Sequence, residues 1–406
     1  MIKLNHNSIL HNPKLGHYSI NNKIFVDKMS ALLEASKLGL KYENVKWHFN
    51  DEVFSKVNWQ QEPSNDIRYF YQERARQIRE KYDYLILNFS GGSDSTTVLY
   101  SFIQAGLFID EVVIRNPAAA TKKYGNDRFN LNPQNEFSEF EFAAKPILKW
   151  LERVSPKTKI TVEDFSLDLI KDDITWDENF IHWTGDYINP GCIVRYTNNR
   201  NIDHLKKFDK GKKVAIIFGT DKPRVICQDD DVNFYFFDRA THSPLPARIN
   251  NEFDNVEIEL FFWSPELPEL IVKQCHLIKK WFENPANKRL VFMMNYWWQT
   301  TAANRGAYEN CIKGIIYPDY DLSTWQVNKT TISGVLTEWD FYMQDFKETN
   351  AYRTFMRGVE HVYNNVDKDF FTIAEPFRVP GAEFNLYNWE LRPCLSKMYN
   401  VGKLIK

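Results

Sequence analysis

The residues most able to do chemistry stand together in Ser90-Gly-Gly-Ser-Asp-Ser-Thr96. Gly91 and Gly92 reach positive φ freely and put no Cβ between backbone N–H groups and an approaching anion. Ser90, Ser93 and Ser95 add hydroxyl donors. Asp94 would repel a bare phosphate, so its place here makes sense if it holds Mg²⁺ that bridges it to a polyphosphate. The plainer alternative is a tight turn capped by Ser and Asp. What decides between the two is the pair of flanking elements, because a glycine-rich match becomes a phosphate site only between a strand and a helix. No G-x-x-x-x-G-K-[ST] occurs anywhere in the chain, which disfavours γ-phosphate kinase or GTPase chemistry.

Those flanking elements are legible. Tyr84-Leu-Ile-Leu-Asn-Phe89 is a nearly continuous apolar run, as expected of a strand covered on both faces of a parallel sheet. Ser95 to Ala105 predicts a helix with Val98, Leu99, Phe102 and Ile103 on its apolar side, and Gly106 supplies a stop signal. Its N-terminus would aim unpaired N–H groups at the same anion. Glu111-Val-Val-Ile-Arg115 predicts the next strand, so the segment reads as a βαβ unit with a right-handed crossover. Further along, the pattern predicts a helix over 137–153, a strand over 159–165, a short helix over 202–208 and a strongly apolar strand at Val214-Ala-Ile-Ile-Phe218. Val225 to Gln228 and Val232 to Asp238 read as a hairpin, with Asp229-Asp-Asp231 as its turn rather than a metal cluster.

A second loop, Gly219-Thr-Asp-Lys-Pro-Arg224, follows the strand expected beside the first. Ligands of open parallel sheets bind outside the carboxyl ends of the strands, where connections diverge, so the two loops should converge. Lys222 and Arg224 could then neutralise the charge of a bound polyphosphate. Asn116, just past the second strand, would lie near the same ligand on topology alone. The bland reading of the second loop is a solvated turn with a salt-bridged Asp–Lys pair.

The motif S-G-G-x-D-S after an apolar strand resembles the PP-loop of the N-type ATP pyrophosphatases in the adenine nucleotide α-hydrolase-like superfamily. Asparagine synthetase, GMP and NAD synthetases, tRNA-thiolating enzymes and phosphoadenosine-phosphosulfate reductase are relatives of that kind. The resemblance covers about residues 67 to 240 and is specific for the superfamily but not for the substrate. It implies an α/β fold, with a doubly wound, parallel five-stranded sheet of the HUP or Rossmann-like kind. It also implies ATP as the ligand, held by Ser90–Thr96 with Gly219 and Thr220, and attack on the α-phosphorus with release of pyrophosphate. Asparagine synthetase looks similar at the second loop too, which makes Asp221 the second Mg²⁺ candidate beside Asp94. The residues expected to act in catalysis are Asp94, Ser95, Lys222 and Arg224.

Around this core, residues 1–80 read as an N-terminal helical or mixed leader, 81–240 as the ATP-binding domain and 241–406 as a mostly helical, aromatic-rich extension that sets specificity. The leader should contain a helix within 25–38, the aromatic segment Val45-Lys-Trp-His-Phe49 and a helix from Ile67 to Tyr82 capped by Asn65 or Asp66. Beyond about residue 240 the strand–helix alternation is lost, and seven of the twelve Trp residues fall there, hence the specificity reading. In that region Ser264 and Pro265 should start a helix running to Glu283, with Lys273, Gln274 and His276 facing solvent, and a further helix should span 342–364. Tyr296 to Arg305 reads as core packing before a ligand pocket, and Cys192 and Arg195 occupy a loop able to overhang the site.

Composition narrows the class. Charge is nearly balanced at −2 with no dense Lys/Arg run, so no strong nucleic-acid signal exists. No apolar stretch approaches the ~18 residues of a membrane span. The first thirteen residues lack the apolar core of a secretory signal, and the five Cys form no C-x-x-C pair, so the expected home is the cytoplasm. The favoured reaction is AMP-forming activation of an acceptor oxygen, in a small-molecule or nucleotide-type substrate, for attack by a nitrogen nucleophile. No glutaminase half is recognisable, so the nitrogen donor would be ammonia, an amine or the product of another subunit. Sulfur transfer or a reductase ranks second, weakened because Arg392-Pro-Cys-Leu-Ser396 lacks the reductase's cysteine context. A silent nucleotide binder ranks third.

Overall fold

In the computed structural model, residues 15–26, 28–115, 139–164, 205, 207–208, 211–238, 254–294, 302–321, 348–373, 383, 385–386 and 388–405 are described. The chain opens with β1 (His17–Ile20), β2 (Lys23–Phe25), α1 (Lys28–Lys37), β3 (Lys46–His48), α2 (Asp51–Phe54) and α3 (Ile67–Lys81). The first three strands form an antiparallel sheet in the order β2-β1-β3. The leader is therefore mixed rather than helical. Strands of three or four residues are too short to show period-two alternation in the sequence. Asp66 caps α3 as expected, its carboxylate accepting from Tyr69 N–H at 2.9 Å.

Next come β4 (Tyr84–Asn88), α4 (Ser93–Gln104) and β5 (Glu111–Arg115), followed by a π-helical turn at Glu139–Ala144 that leads into α5 (Lys145–Val154) and β6 (Lys159–Glu163). Then β7 (Val214–Phe218), the hairpin of β8 (Arg224–Gln228) and β9 (Asp231–Tyr235), and β10 (Val256–Leu260) complete the middle of the chain. Five of these strands form one all-parallel sheet in the order β10-β7-β4-β5-β6. The chain moves outward from β4 through β5 to β6, then returns to the other side of β4 for β7 and β10. This reversal beside β4 is the topological switch point of a Rossmann-like sheet, where such folds bind ligands.

The fifth strand lies at 256–260, past the point where the alternation was expected to stop. Val256-Glu-Ile-Glu-Leu260 carries two carboxylates and so does not read as an apolar run. Glu259 is nonetheless buried, because Arg74 of α3, itself fully buried, reaches it at 2.5 Å while Lys81 reaches it at 3.0 Å. An ion pair thus does for β10 what apolar residues do for β4 and β7.

The remainder holds α6 (Pro268–Phe282), α7 (Lys288–Met294), α8 (Ala302–Ile316), α9 (Asn350–Asn365), β11 (Phe371–Ile373), β12 (Trp389–Leu391) and β13 (Tyr399–Lys403). The N-cap of α6 is Leu267, not Ser264, whose hydroxyl accepts from Glu266 N–H in the preceding turn. Lys273, Gln274 and His276 are buried, contrary to expectation. Each has a partner that draws it inward. Lys273 bonds Glu62, Gln274 donates to the Tyr71 hydroxyl, and His276 meets the Trp59 carbonyl. The C-terminal β13 joins β9 to make a second, antiparallel sheet in the order β13-β9-β8. The β8–β9 turn is the expected one, with Asp229 and Asp230 at φ +49° and +69°. No helix among the described residues is long and apolar enough to cross a membrane.

Candidate functional site

The glycine-rich loop leaves the carboxyl end of β4 and enters α4 at once, with Gly92 as N-cap and no side-chain cap. The N–H groups of the first turn therefore face whatever lies in front of the loop. Ser95 organises the loop from within. Its Oγ accepts from Ser90 N–H at 3.2 Å and donates to the Gly92 carbonyl at 3.2 Å. Gly92 N–H in turn reaches Ser90 Oγ at 3.4 Å. Ser90 is exposed, whereas Ser93, Ser95 and Thr96 are buried; Thr96 Oγ1 has no hydrogen-bond partner among the described residues. Gly91 is required on two counts. Its φ is +74°, and an added Cβ would stand 2.6 Å from the Ala144 nitrogen that backs the loop.

The second loop leaves β7, the strand hydrogen-bonded to β4. A Cβ on Gly219 would lie 2.9 Å from the Asp94 carbonyl carbon and 3.0 Å from Ser95 N. The two loops are thus in backbone contact, and only glycine allows it. Thr220 and Asp221 follow, half-buried, and Lys222 then turns back over the first loop.

Lys222 Nζ stands 3.3 and 3.2 Å from the two Asp94 oxygens and 3.3 Å from Asp221 Oδ1. Asp221 Oδ1 also accepts from Lys222 N–H at 2.5 Å. Arg224 Nη1 pairs with Glu309 Oε1 of α8 at 3.2 Å, and its guanidinium lies 5.2 Å from the Phe237 ring centre. Tyr317, just past α8, donates its hydroxyl to Asp94 Oδ1 at 2.5 Å. Beneath it, Tyr71 donates to the Ile316 carbonyl at 2.7 Å, which fixes the end of α8 against α3.

Electrostatics follow from this crowding. Burial opposes the charge on Lys222, but Asp94, Asp221 and Glu309 outweigh it and hold the ammonium well above its ordinary pKa. Burial likewise works against ionised Asp221, yet Lys222 and Arg224 keep its carboxyl below the usual range. Glu309 is depressed and Arg224 raised for the same reasons. Burial and the Asp94 carboxylate push the Tyr317 hydroxyl far above its normal value, so it acts here as a donor. Tyr320 is pushed up to about 12 by burial, with Lys222 pulling the other way. Formally, three carboxylates stand against two cations.

Of the residues expected from sequence, Ser90, Gly91, Gly92, Gly219, Thr220, Asp221 and Lys222 fall in these two touching loops, Ser93, Asp94, Ser95 and Thr96 in the first turn of α4, and Arg224 at the start of β8. Asn116, Cys192 and Arg195 lie outside the described residues, as does Tyr296–Arg305 apart from its last four positions, which begin α8. Tyr317 and Glu309 were not anticipated. Neither sits in a motif, and only the three-dimensional return of α8, more than two hundred positions from Asp94, brings them in. Cys394 is buried, with its N–H on Asp238 Oδ1. Compared with known proteins, the chain matches no protein-family model and no curated sequence.

Proposed function

We propose that this chain is an AMP-forming ATP pyrophosphatase of the PP-loop kind, which adenylates an acceptor oxygen for displacement by a nitrogen nucleophile. The observation that carries this reading is the backbone contact of Gly219 with Asp94 and Ser95, which joins two loops at the switch point into one rim. The loop N–H groups and the N-terminus of α4 suit the β- and γ-phosphates. Lys222 and Arg224, both held charged, suit the pyrophosphate that departs.

The donor set also fits Mg²⁺. Asp94 and Asp221 lie close enough to share one lysine ammonium, and Mg²⁺ typically takes one or two carboxylates and completes its shell with water and phosphate oxygens. When bound, Mg²⁺ would neutralise phosphate charge. In the reaction an acceptor oxygen forms a bond to the α-phosphorus, the α–β bridge breaks and pyrophosphate leaves with the electron pair. A nitrogen nucleophile then takes the activated carbon, AMP departs and the nitrogen's proton passes to solvent.

The test is to incubate the protein with Mg²⁺, α-labelled ATP and a pool of candidate acceptors and to identify the labelled product. AMP with pyrophosphate supports the reading. ADP with orthophosphate refutes it.

A further inference from the structure

We propose that Lys222 is an internal cation that a divalent metal must displace, so that metal enters this site only together with a polyphosphate able to receive the lysine. This rests on the reading of the two loops as an ATP site, and it adds an order of events that this reading does not require. Lys222 Nζ touches both oxygens of Asp94 and one of Asp221, at 3.2–3.3 Å. A divalent ion shared by the same carboxylates would sit between them at the shorter distance of ~2.1 Å that Mg²⁺ requires. Ammonium and metal therefore compete for one place. Two like cations cannot occupy it together, because at such separations their repulsion in a buried setting is severe.

The surroundings hold the carboxylates and leave the lysine as the part that moves. Asp94 is tied by the Tyr317 hydroxyl at 2.5 Å and stands on the first turn of α4. Asp221 is tied by the backbone N–H of Lys222 itself. Lys222 Nζ, by contrast, rides on a four-carbon stem with rotatable donors. Its destination must be anionic, since the ammonium leaves two carboxylates that it meets at 3.2–3.3 Å. The β- or γ-phosphate of a nucleotide in the adjoining loop is within the same rim and supplies that anion. The lysine so serves twice, first as counter-ion to the two carboxylates and then as a clamp on the phosphates.

The test uses Mn²⁺ as the probe, with free metal read by electron paramagnetic resonance in the full-length protein. Without nucleotide, Lys222→Met should bind Mn²⁺ at least about tenfold more tightly than wild type, since a charged donor has been removed from both carboxylates. Lys222→Gln, which keeps hydrogen-bond donors without the charge, should show the same direction, and Lys222→Arg should not. Adding Asp94→Asn to Lys222→Met should abolish the gain. In wild type, saturating α,β-methylene-ATP should tighten Mn²⁺ binding by a similar factor or more. Equal nucleotide-free Mn²⁺ affinity in wild type and the neutral variants overturns the displacement while leaving the ATP site standing. Wild type that binds Mn²⁺ equally well with and without the analogue overturns it also, with no variant needed. An analogue that fails to bind at all counts against the ATP reading instead, and the nucleotide-free comparison of variants still reads the displacement.

Discussion

Asp94 is met by a lysine from one loop and a tyrosine just past a helix far away in the chain, so its carboxylate is fixed before any ligand arrives. Replacing it with Asn keeps the shape and removes the charge. We expect Asp94→Asn to lower kcat by at least about a hundredfold, the scale seen for loss of one charge-stabilising group, with an unchanged circular dichroism spectrum. Ser95→Ala should also abolish measurable turnover, but by a different route. Its hydroxyl clasps Ser90 N–H and the Gly92 carbonyl, so the variant loosens the loop. Steady-state kinetics and nucleotide titration separate the two, since Ser95→Ala should weaken ATP binding more than Asp94→Asn does in the absence of metal. Gly219→Ala places a methyl against the Asp94 and Ser95 backbone and should cost about 1–3 kcal/mol in urea unfolding, with a matching loss of nucleotide affinity. Both glycine-bearing loops were legible in the sequence because turns advertise themselves. Tyr317 and Glu309 were not, because a glutamate on a distant helix or a tyrosine just past it carries no local mark of what it will meet.

Among the elements, those with long apolar runs were the readable ones. β4, β5 and β7 were placed closely from residue type alone, and α4 with its Gly106 terminator, at φ +73°, followed from spacing. β10 escapes because its two glutamates hide a buried strand, and Lys273, Gln274 and His276 of α6 read as a wet face although they are buried. In each case a partner from another element reverses the expectation, and single-element patterns do not contain partners. The amino ends of the strands show a similar device. Glu111 of β5 is buried and receives Lys159 and Thr161 of β6, Tyr84 of β4 and Lys207. Burial opposes its ionisation, but Lys159, Thr161 and Lys207 prevail and hold its pKa at about 2. A carboxyl depressed in the folded state lends stability above its unfolded value of about 4.3 and loses it as pH falls toward 2. Urea midpoints measured from pH 5 to pH 2 should therefore fall steeply in wild type and more gently in Glu111→Gln.

At the scale of the whole molecule, aromatic richness finds a use other than ligand recognition. Phe49, Phe54 and Trp59 of the leader pack with Phe234 and Phe236 of the hairpin, Trp263 and Tyr399 of the last strand, with ring centres such as Trp59–Tyr399 at 4.6 Å and Phe54–Phe236 at 4.6 Å. Buried Lys28 pairs with buried Asp238 at 2.9 Å and ties α1 to the segment that follows the same hairpin. The leader and the last strand thus grip the β8–β9 hairpin that begins at Arg224. Tyr399→Ala should cost about 3–5 kcal/mol in urea unfolding while leaving the identity of the nucleotide product unchanged. The strand–helix pattern suggests separate segments, but contacts across such sequence distances are not written in it.

The account turns on one rim made by residues 90–96 and 219–224. A crystal structure with α,β-methylene-ATP and Mg²⁺ tests it most directly. It should place the β- and γ-phosphates against the N–H groups of Gly91 to Ser95, the metal on Asp94 and Asp221, and Lys222 Nζ on a phosphate oxygen. A triphosphate seated elsewhere, with the two loops unchanged, would contradict it.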